Sequence, residues 1–318
     1  MLSDTIINNQ LKFTLDKTNF KFGKKYEGKV RDNYTIDGKR IIITTDRISA
    51  FDRVLCSIPF KGQVLNQTAA FWFDKTKNII DNHIISIPDP NVMLAKECEP
   101  IPVEMVIRGY ITGVTTTSAW YNYEKGIRDF CGNMLPEGLK KNQKLVKPII
   151  TPSTKAEKGA HDESISGEEI IKRKLVDEKI YRLMEKAALA LFDFGTKLVA
   201  KNNLILVDTK YEFGLYNGKL VLIDEVHTPD SSRFWIKDTY EELFSKEQEP
   251  QKLDKEYVRM WLSNKGFIGE GKIPRIPDDV KVEAAKRYIT AYEMITGKKF
   301  DAKNENVLER IEGNLRKI

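Results

Sequence analysis

LILVDTKYEFGLYNGKLVLIDEV, residues 204–226, reads as two strands closed by Asn217-Gly218, a pair that suits a tight hairpin because both residues accept a left-handed backbone. Asp208, Lys210 and Glu212 alternate with Thr209, Tyr211 and Phe213, so a strand sets the three charged groups on one face and packs the others behind. Asp224 sits in the partner strand. A two-residue loop pairs Lys210 with Glu225 and turns Asp224 away. A three-residue loop with Gly218 in a bulge pairs Lys210 with Asp224 and gathers Asp208, Glu212 and Asp224 on one face. That crowding is costly without a cation, and carboxylates without histidine or thiolate make a hard oxygen site that favours magnesium shared with phosphates. Lys210 would neutralise a phosphate as a compact charge. A surface ion-pair ladder accounts for the same residues. The polar turn DEVHTPDSSRFW tips the balance toward a site, because Arg233 can hold a phosphate or carboxylate bidentately.

Before the hairpin, Ser166 with Glu169 forms a capping box and Asp177 caps a second helix. In that helix Ile180, Met184, Ala187, Ala188, Leu191, Gly195 and Leu198 fall on one core-facing stripe. After the hairpin, DKEYVRMWLSNKG, DDVKVEAAKRYITAYEMITG and NENVLERIEGNLRKI read as helices. The first hundred residues are strand-rich: LKFTLD, FKFGKKYEGKVRDNYTID and GKRIIITTD predict a small antiparallel sheet, with a turn at Asp37-Gly38 and a helix over about 67–77. Pro100 and Pro102 bracket the entry to the next strand and place a domain boundary near Pro100, giving units 1–99 and 100–318.

The composition is that of a soluble globular chain: 318 residues, 41% hydrophobic and 31% charged. No apolar run is long enough to span a bilayer and no signal-peptide pattern opens the chain, so the expected compartment is the cytoplasm. Cys56, Cys98 and Cys131 are odd in number and lack CxxC spacing, and read as reduced thiols. The net charge of +6 suits anionic ligands. No basic stripe interleaved with aromatics argues for nucleic acid.

Other segments offer polar groups. Lys29 and Arg31 point the same way from a strand after Gly28, so a hairpin could lie over phosphates, though no Walker motif or GxGxxG occurs. TTDRISAFD follows a buried strand, where ligand loops often sit. TPSTKAEKGAHDESIS, 151–166, has the composition of a solvated loop. His83, His161 and His227 lack the spacing of a metal cluster or nucleophile's base; His161 is singled out because it lies in that loop.

Taken in order, GKVRDNY, TDRISAFD, FKGQVLNQ, PVEMVIRGYITG, TPSTKAEKGAHDESIS, LVDTKYEFG and IDEVHTPDSSRFW closely resemble the SAICAR synthase family of purine biosynthesis, from about Lys21 to Trp235. The helical C-terminus resembles the family's longer form. The resemblance implies an α+β fold in two lobes, a small antiparallel N-terminal domain and a larger α/β C-terminal domain, with ATP in the cleft between. It implies that ATP activates the carboxylate of carboxyaminoimidazole ribonucleotide (CAIR) as an acyl phosphate. L-aspartate then displaces phosphate to give SAICAR. Catalysis is then mostly positioning and charge neutralisation. By the same resemblance Lys29 and Arg31 lie by the ATP phosphates, the hinge from Lys96 through Cys98 to Glu104 holds adenine, and Glu212 and Asp224 bind magnesium. Lys210 and Lys155 serve the phosphates, and with Asp208 form the catalytic set. Arg108, Asp208 and Arg233 hold the ribonucleotide, Asp46, Arg47 and Ser49 lie near aspartate, and His161 and Asp162 line the substrate side. Where many members have a serine after the glycine of RGYITG, this chain has Val114; Ser118 or Thr115 to Thr117 take its place.

The partners implied are small molecules, with neither nucleic acid nor membrane. The C-terminal helices can cap a monomer or build an interface, and a monomer is expected over a homodimer. A small-molecule kinase and an RNA-binding module without turnover are the competing readings. ADP release dependent on both CAIR and aspartate excludes the first, and salt-sensitive RNA affinity without ADP formation supports the second.

Overall fold

A computed structural model describes residues 2–51, 53–155, 163–253 and 256–317. The chain begins with α1 (Asp4–Gln10), then forms β1 (Lys24–Glu27), β2 (Arg31–Ile36) and β3 (Lys39–Thr44). A ribbon of β4 (Arg47–Ala50) and β5 (Arg53–Ser57), then α2 (Lys61–Thr76), β6 (Ile84–Asp89) and β7 (Val92–Lys96) follow. Among the described residues the first sheet is five-stranded and antiparallel, in the order β1-β2-β3-β7-β6.

β8 (Glu99–Ile111) starts the second sheet two residues later. It is followed by α3 (Ala119–Glu124), β9 (Asp129–Phe130), β10 (Asn133–Met134), β11 (Gln143–Ile150), β12 (Ser153–Thr154), β13 (Glu163–Ser164), α4 (Gly167–Lys172) and α5 (Glu178–Val199). The hairpin β14 (Leu204–Tyr216) and β15 (Lys219–Ile223) and the strand β16 (Ser232–Ile236) complete an antiparallel sheet ordered β13-β12-β8-β14-β15, with β11 also on β8 and β16 also on β14. The chain ends in α6 (Lys237–Ser245), α7 (Glu256–Asn264), α8 (Asp278–Thr296) and α9 (Val307–Leu315). The architecture is the expected α+β arrangement of two antiparallel sheets. No described helix is long and apolar enough to cross a membrane.

Local chemistry explains the boundaries. Asn217 (φ 51°) and Gly218 (φ 72°) are both left-handed and Tyr216 pairs with Lys219, so the loop has two residues. Ser166 Oγ accepts the Glu169 N–H at 3.2 Å and Asp177 Oδ1 accepts those of Lys179 and Ile180, which caps α4 and α5. The buried stripe of α5, centred on Met184 and Leu191, packs with Val103, Met105, Tyr211 and Phe213 in the main core. One face of β8 and β14 is thereby committed to the core, and alternation sends the even-numbered residues from Glu104 and Asp208 onward to the other side. A one-residue register shift between Leu206 and Asp208 sets this phase: Leu206 is still in the core, while Val207 is skipped in pairing with β16.

Two expectations change. LKFTLD is a 3-10 turn over Leu11–Phe13 followed by irregular chain, because the Leu15 N–H is taken by Asp46 Oδ2 at 2.7 Å and, just beyond the stretch, the Thr18 N–H by Asp32 Oδ2 at 2.7 Å. α2 starts at Lys61 instead of near residue 67, since Asp46 Oδ1 accepts the Gly62 N–H at 2.8 Å and opens the helix earlier.

The two sheets meet at β15, where Leu222 N donates to Asp81 O at 2.9 Å and His83 N to Leu222 O at 3.2 Å. α8 packs on α2 through Ala285 and Ile289 against Val64 and Leu65, and Val307 and Ile311 of α9 pack with Tyr34, Ile43 and Val92. A Cβ on Gly62 would sit 2.3 Å from Thr44 O and 2.5 Å from Asn91 Nδ2. Gly62→Ala is therefore expected to cost about 1–3 kcal/mol of stability, read from denaturant melts; an unchanged midpoint contradicts this packing.

Candidate functional site

Pairing of β8 with β14 sets Asp208 opposite Arg108, Lys210 opposite Val106 and Glu212 opposite Glu104. Directly opposed residues share a face, so the two strands present a row of alternating charge. Asp208 Oδ2 lies 2.9 Å from Arg233 Nη1 and 3.6 Å from Arg108 Nη1. Lys210 Nζ bridges Glu104 Oε1 and Glu212 Oε1, each at 2.7 Å. Lys155, after β12, reaches Glu212 Oε2 at 2.6 Å.

The hairpin register pairs Glu212 with Ile223, which continues to Lys210 opposite Glu225 and would turn Asp224 to the other face. The backbone overrides that alternation: Asp224 is left-handed (φ 64°) and leaves the strand. Its Oδ1 receives Arg31 Nη1 at 2.7 Å, while Arg31 Nη2 holds Glu225 Oε2 at 2.7 Å. Arg31, at the start of β2, thus crosses from the first sheet to the hairpin of the second. Lys29 lies in the turn between β1 and β2, not on a strand beside Arg31, because Gly28 N bonds back to Arg31 O.

The charges set one another's protonation. Burial alone would raise the Glu212 carboxyl, but Lys210 and Lys155 hold it down to about 2. Burial pushes Asp224 up to about 6; Arg31 opposes that rise, and the Glu212 and Glu225 carboxylates reinforce it. Burial works against the Lys155 and Lys210 ammonium groups, yet Glu212 keeps both above their ordinary value.

Beside this row lies a cavity of about 670 Å3 whose wall includes Arg108, Asp208, Lys210, Asp230 and Arg233. Arg108 is fixed by Nε to Thr151 Oγ1 and Nη2 to Thr117 O, both 2.8 Å, which ties the segment Thr115 to Ser118 to the same wall. Ser118 Oγ folds back beside Gly113 (φ 95°), where an added Cβ would lie 2.4 Å from it and 3.0 Å from Arg233 Nη1. Ser118 is thus brought next to the arginine despite its displaced position in the sequence.

The residues expected to form a hinge sit where the sheets join. Lys96 Nζ donates to Asn82 O at 3.1 Å and stands over the Tyr216 ring, and Cys98 is buried with Val221 and Ile223. Asp46, Arg47 and Ser49 are not among the described residues lining the cavity. Asp46 spends both oxygens on backbone N–H groups, and Arg47 binds Asp32 Oδ1 and the carbonyls of Asp16, Gly28 and Lys29. His161 and Asp162 lie outside the described residues. The cavity also recruits Phe51, Asp230 and Arg259. Asp230 stood in the polar turn already singled out, whereas nothing in the α7 sequence distinguished Arg259 from a solvated helical arginine.

No group of three or more His, Cys, Asp or Glu placed to hold a metal occurs among the described residues. The donors Glu212 and Asp224 nevertheless fit a hard divalent cation: both offer only oxygen, and mutual repulsion with burial lifts the Asp224 carboxyl. Such an ion would complete its shell with phosphates and water.

A family model described as SAICAR synthetase matches residues 24–276. The phosphoribosylaminoimidazole-succinocarboxamide synthase of Legionella pneumophila (strain Lens) is 47% identical over 307 residues, spanning 95% of this chain and 98% of that one. Its namesake from Bacteroides fragilis (strain YCH46) is 50% identical over 309 residues, spanning 95% and 97%. Among solved structures, the Saccharomyces cerevisiae SAICAR synthase complexed with SAICAR superposes with a TM-score of 0.78 at 32% identity, covering 91% of this chain and all of that one. A SAICAR synthetase in complex with ADP gives 0.65 at 26% identity, covering 87% and 100%.

The folded protein holds the Asp224 proton more tightly than the unfolded chain. Its ionised form therefore costs stability above pH about 6, and that cost vanishes as pH falls toward the ordinary carboxylate range. Asp224→Asn is expected to raise the melting temperature of the ligand-free protein at about pH 7.5 and to raise it much less at about pH 4.5. Calorimetry showing a lower melting point at the higher pH contradicts this.

Proposed function

The chain belongs to the SAICAR synthetase family, carbon–nitrogen ligases of purine biosynthesis, and from that premise we propose that it joins L-aspartate to CAIR with conversion of ATP to ADP and phosphate. The single observation that carries this reading is the convergence of Arg31, Lys155 and Lys210, from three separate segments, on the carboxylates of one hairpin. Cations so placed are ready to turn to the phosphates of a nucleotide. The relatives' complexes with SAICAR and with ADP support both ligand classes.

In this reading a carboxylate oxygen of CAIR attacks the γ-phosphorus and ADP leaves. The aspartate amine then attacks the acyl carbon, the C–O bond breaks, phosphate departs with that electron pair, and the amine nitrogen loses its proton. Neither step needs a nucleophile from the protein; each needs charge held in place. Arg31 and Lys29 receive the nucleotide phosphates, and the hinge between Lys96 and Glu104 takes the adenine. Lys210 and Lys155 neutralise the transferring phosphoryl group. Arg108, Arg233 and Ser118 hold the ribonucleotide, with Asp208 fixing both arginines. Glu212 and Asp224 would hold magnesium, which when bound neutralises phosphate charge. Asp46 and Arg47 serve from behind the wall, because Asp46 is committed to backbone N–H groups and Arg47 to Asp32 and backbone carbonyls.

A steady-state assay with each substrate omitted in turn tests the reading. ADP release is expected only when CAIR and L-aspartate are both present; release with CAIR alone would indicate a kinase. Lys155→Ala is expected to lower kcat at least about a hundredfold, the scale of losing a transition-state charge contact, while shifting the melting temperature little. Equal activity in that variant removes Lys155 from the site.

A further inference from the structure

Not every group on the cavity wall is charged. Phe51, after β4, and Ile268, after α7, line it together with Arg108, Asp208 and Lys210. Ile268 is 72% exposed, so it stands at the mouth of the cavity. Its segment is fastened on both sides. Before it, Phe267 is buried and meets the Phe51 ring edge-on, with centroids 5.8 Å apart. After it, the Gly269 and Gly271 carbonyls accept Arg53 Nη1 at 3.3 and 2.6 Å. Both glycines are left-handed (φ 114° and 75°), and a Cβ on Gly269 would lie 3.0 Å from the Phe51 Cβ, so the strap turns where it crosses Phe51. A single exposed isoleucine is ordinary on a protein surface. This one is pinned between two anchors, stands outside the hydrophobic core, and is placed to meet what the cavity holds.

We propose that Ile268 and Phe51 form an apolar cap that directs the activated carboxyl to the aspartate amine instead of water. The inference rests on the reaction read above, in which CAIR passes through an acyl phosphate. That intermediate has a competing fate. A water oxygen attacks the acyl carbon, the C–O bond to phosphate breaks, and phosphate leaves with that electron pair. The water loses its proton and CAIR returns, with ATP converted to ADP and phosphate. Arginine, lysine and carboxylate side chains bind water, so the charged wall does not exclude it unaided. Hydrocarbon side chains offer water neither donor nor acceptor, and a capped mouth keeps a reactive intermediate from hydrolysis. Bound substrate in turn covers the Ile268 side chain, and burial of that apolar surface favours the capped state.

Ile268 is exposed, so Ile268→Ser is expected to keep the parent's melting temperature. The parent is assayed first; failure to form SAICAR there counts against the reaction alone. The parent is expected to release about one ADP per SAICAR and Ile268→Ser about two or more, the excess matched by inorganic phosphate. With ATP and CAIR but no aspartate, the variant is expected to release ADP and phosphate while the CAIR concentration stays constant. Ile268→Val, which keeps a branched hydrocarbon, is expected to restore the parent's ratio. A merely structural role would lower turnover without changing ADP per SAICAR. A parent-like ratio in Ile268→Ser, at whatever turnover, overturns the proposal, as does uncoupling that persists in full in Ile268→Val.

Discussion

Burying a row of carboxylates on one face of two paired strands obliges the chain to bring a positive charge to each of them. Glu104, Asp208 and Glu212 share the face, and Asp224 is turned toward it. Lys210 answers from within the row, Arg108 and Arg233 from neighbouring strands, Lys155 from the chain after β12, and Arg31 from the other sheet. That obligation links the parts of the molecule: Arg31 joins the sheets electrostatically where the Leu222 hydrogen bonds join them through the backbone.

Holding the charges in this order requires irregular backbone at chosen points. The skipped Val207 sends Asp208, Lys210 and Glu212 to the cleft and leaves Tyr211 and Phe213 in the core. The left-handed Asp224 returns a carboxylate that a regular strand would have lost to the far face. Asp46 anchors Leu15 and Gly62, and Arg47 gathers the carbonyls around the β1–β2 turn, so the segment carrying Lys29 and Arg31 has a fixed base.

Periodicity and turn chemistry made much of this legible before any coordinates. The alternation from Asp208 to Phe213, the Asn217-Gly218 turn and the caps at Ser166 and Asp177 each depend on local spacing, and each forms. LKFTLD misled because its β-like composition is overridden by a distant carboxylate, Asp46, that takes the Leu15 N–H. The hairpin left two registers open, and the outcome combined them: a two-residue loop, with Asp224 nonetheless facing Glu212 because one residue adopts φ 64°. Alternation cannot express such a change of handedness. Arg259 was illegible for another reason: it meets the cavity through contacts about two hundred residues away in sequence, such as its stacking on Phe51, and an isolated polar residue on a helix has no local signature of that.

In the proposed reading, arginine and lysine hold the carboxylates that a metal would take and stand where phosphates would arrive. On that reading a metal and a nucleotide would each free the partners the other needs, so their binding would be coupled, and by linkage equally in both directions. Calorimetric titration of magnesium, alone and with a non-hydrolysable ATP analogue, tests this most directly. The account predicts that the nucleotide tightens magnesium binding by about tenfold or more beyond the metal's affinity for the free analogue. Equal affinity of the protein site for magnesium with and without nucleotide would contradict it.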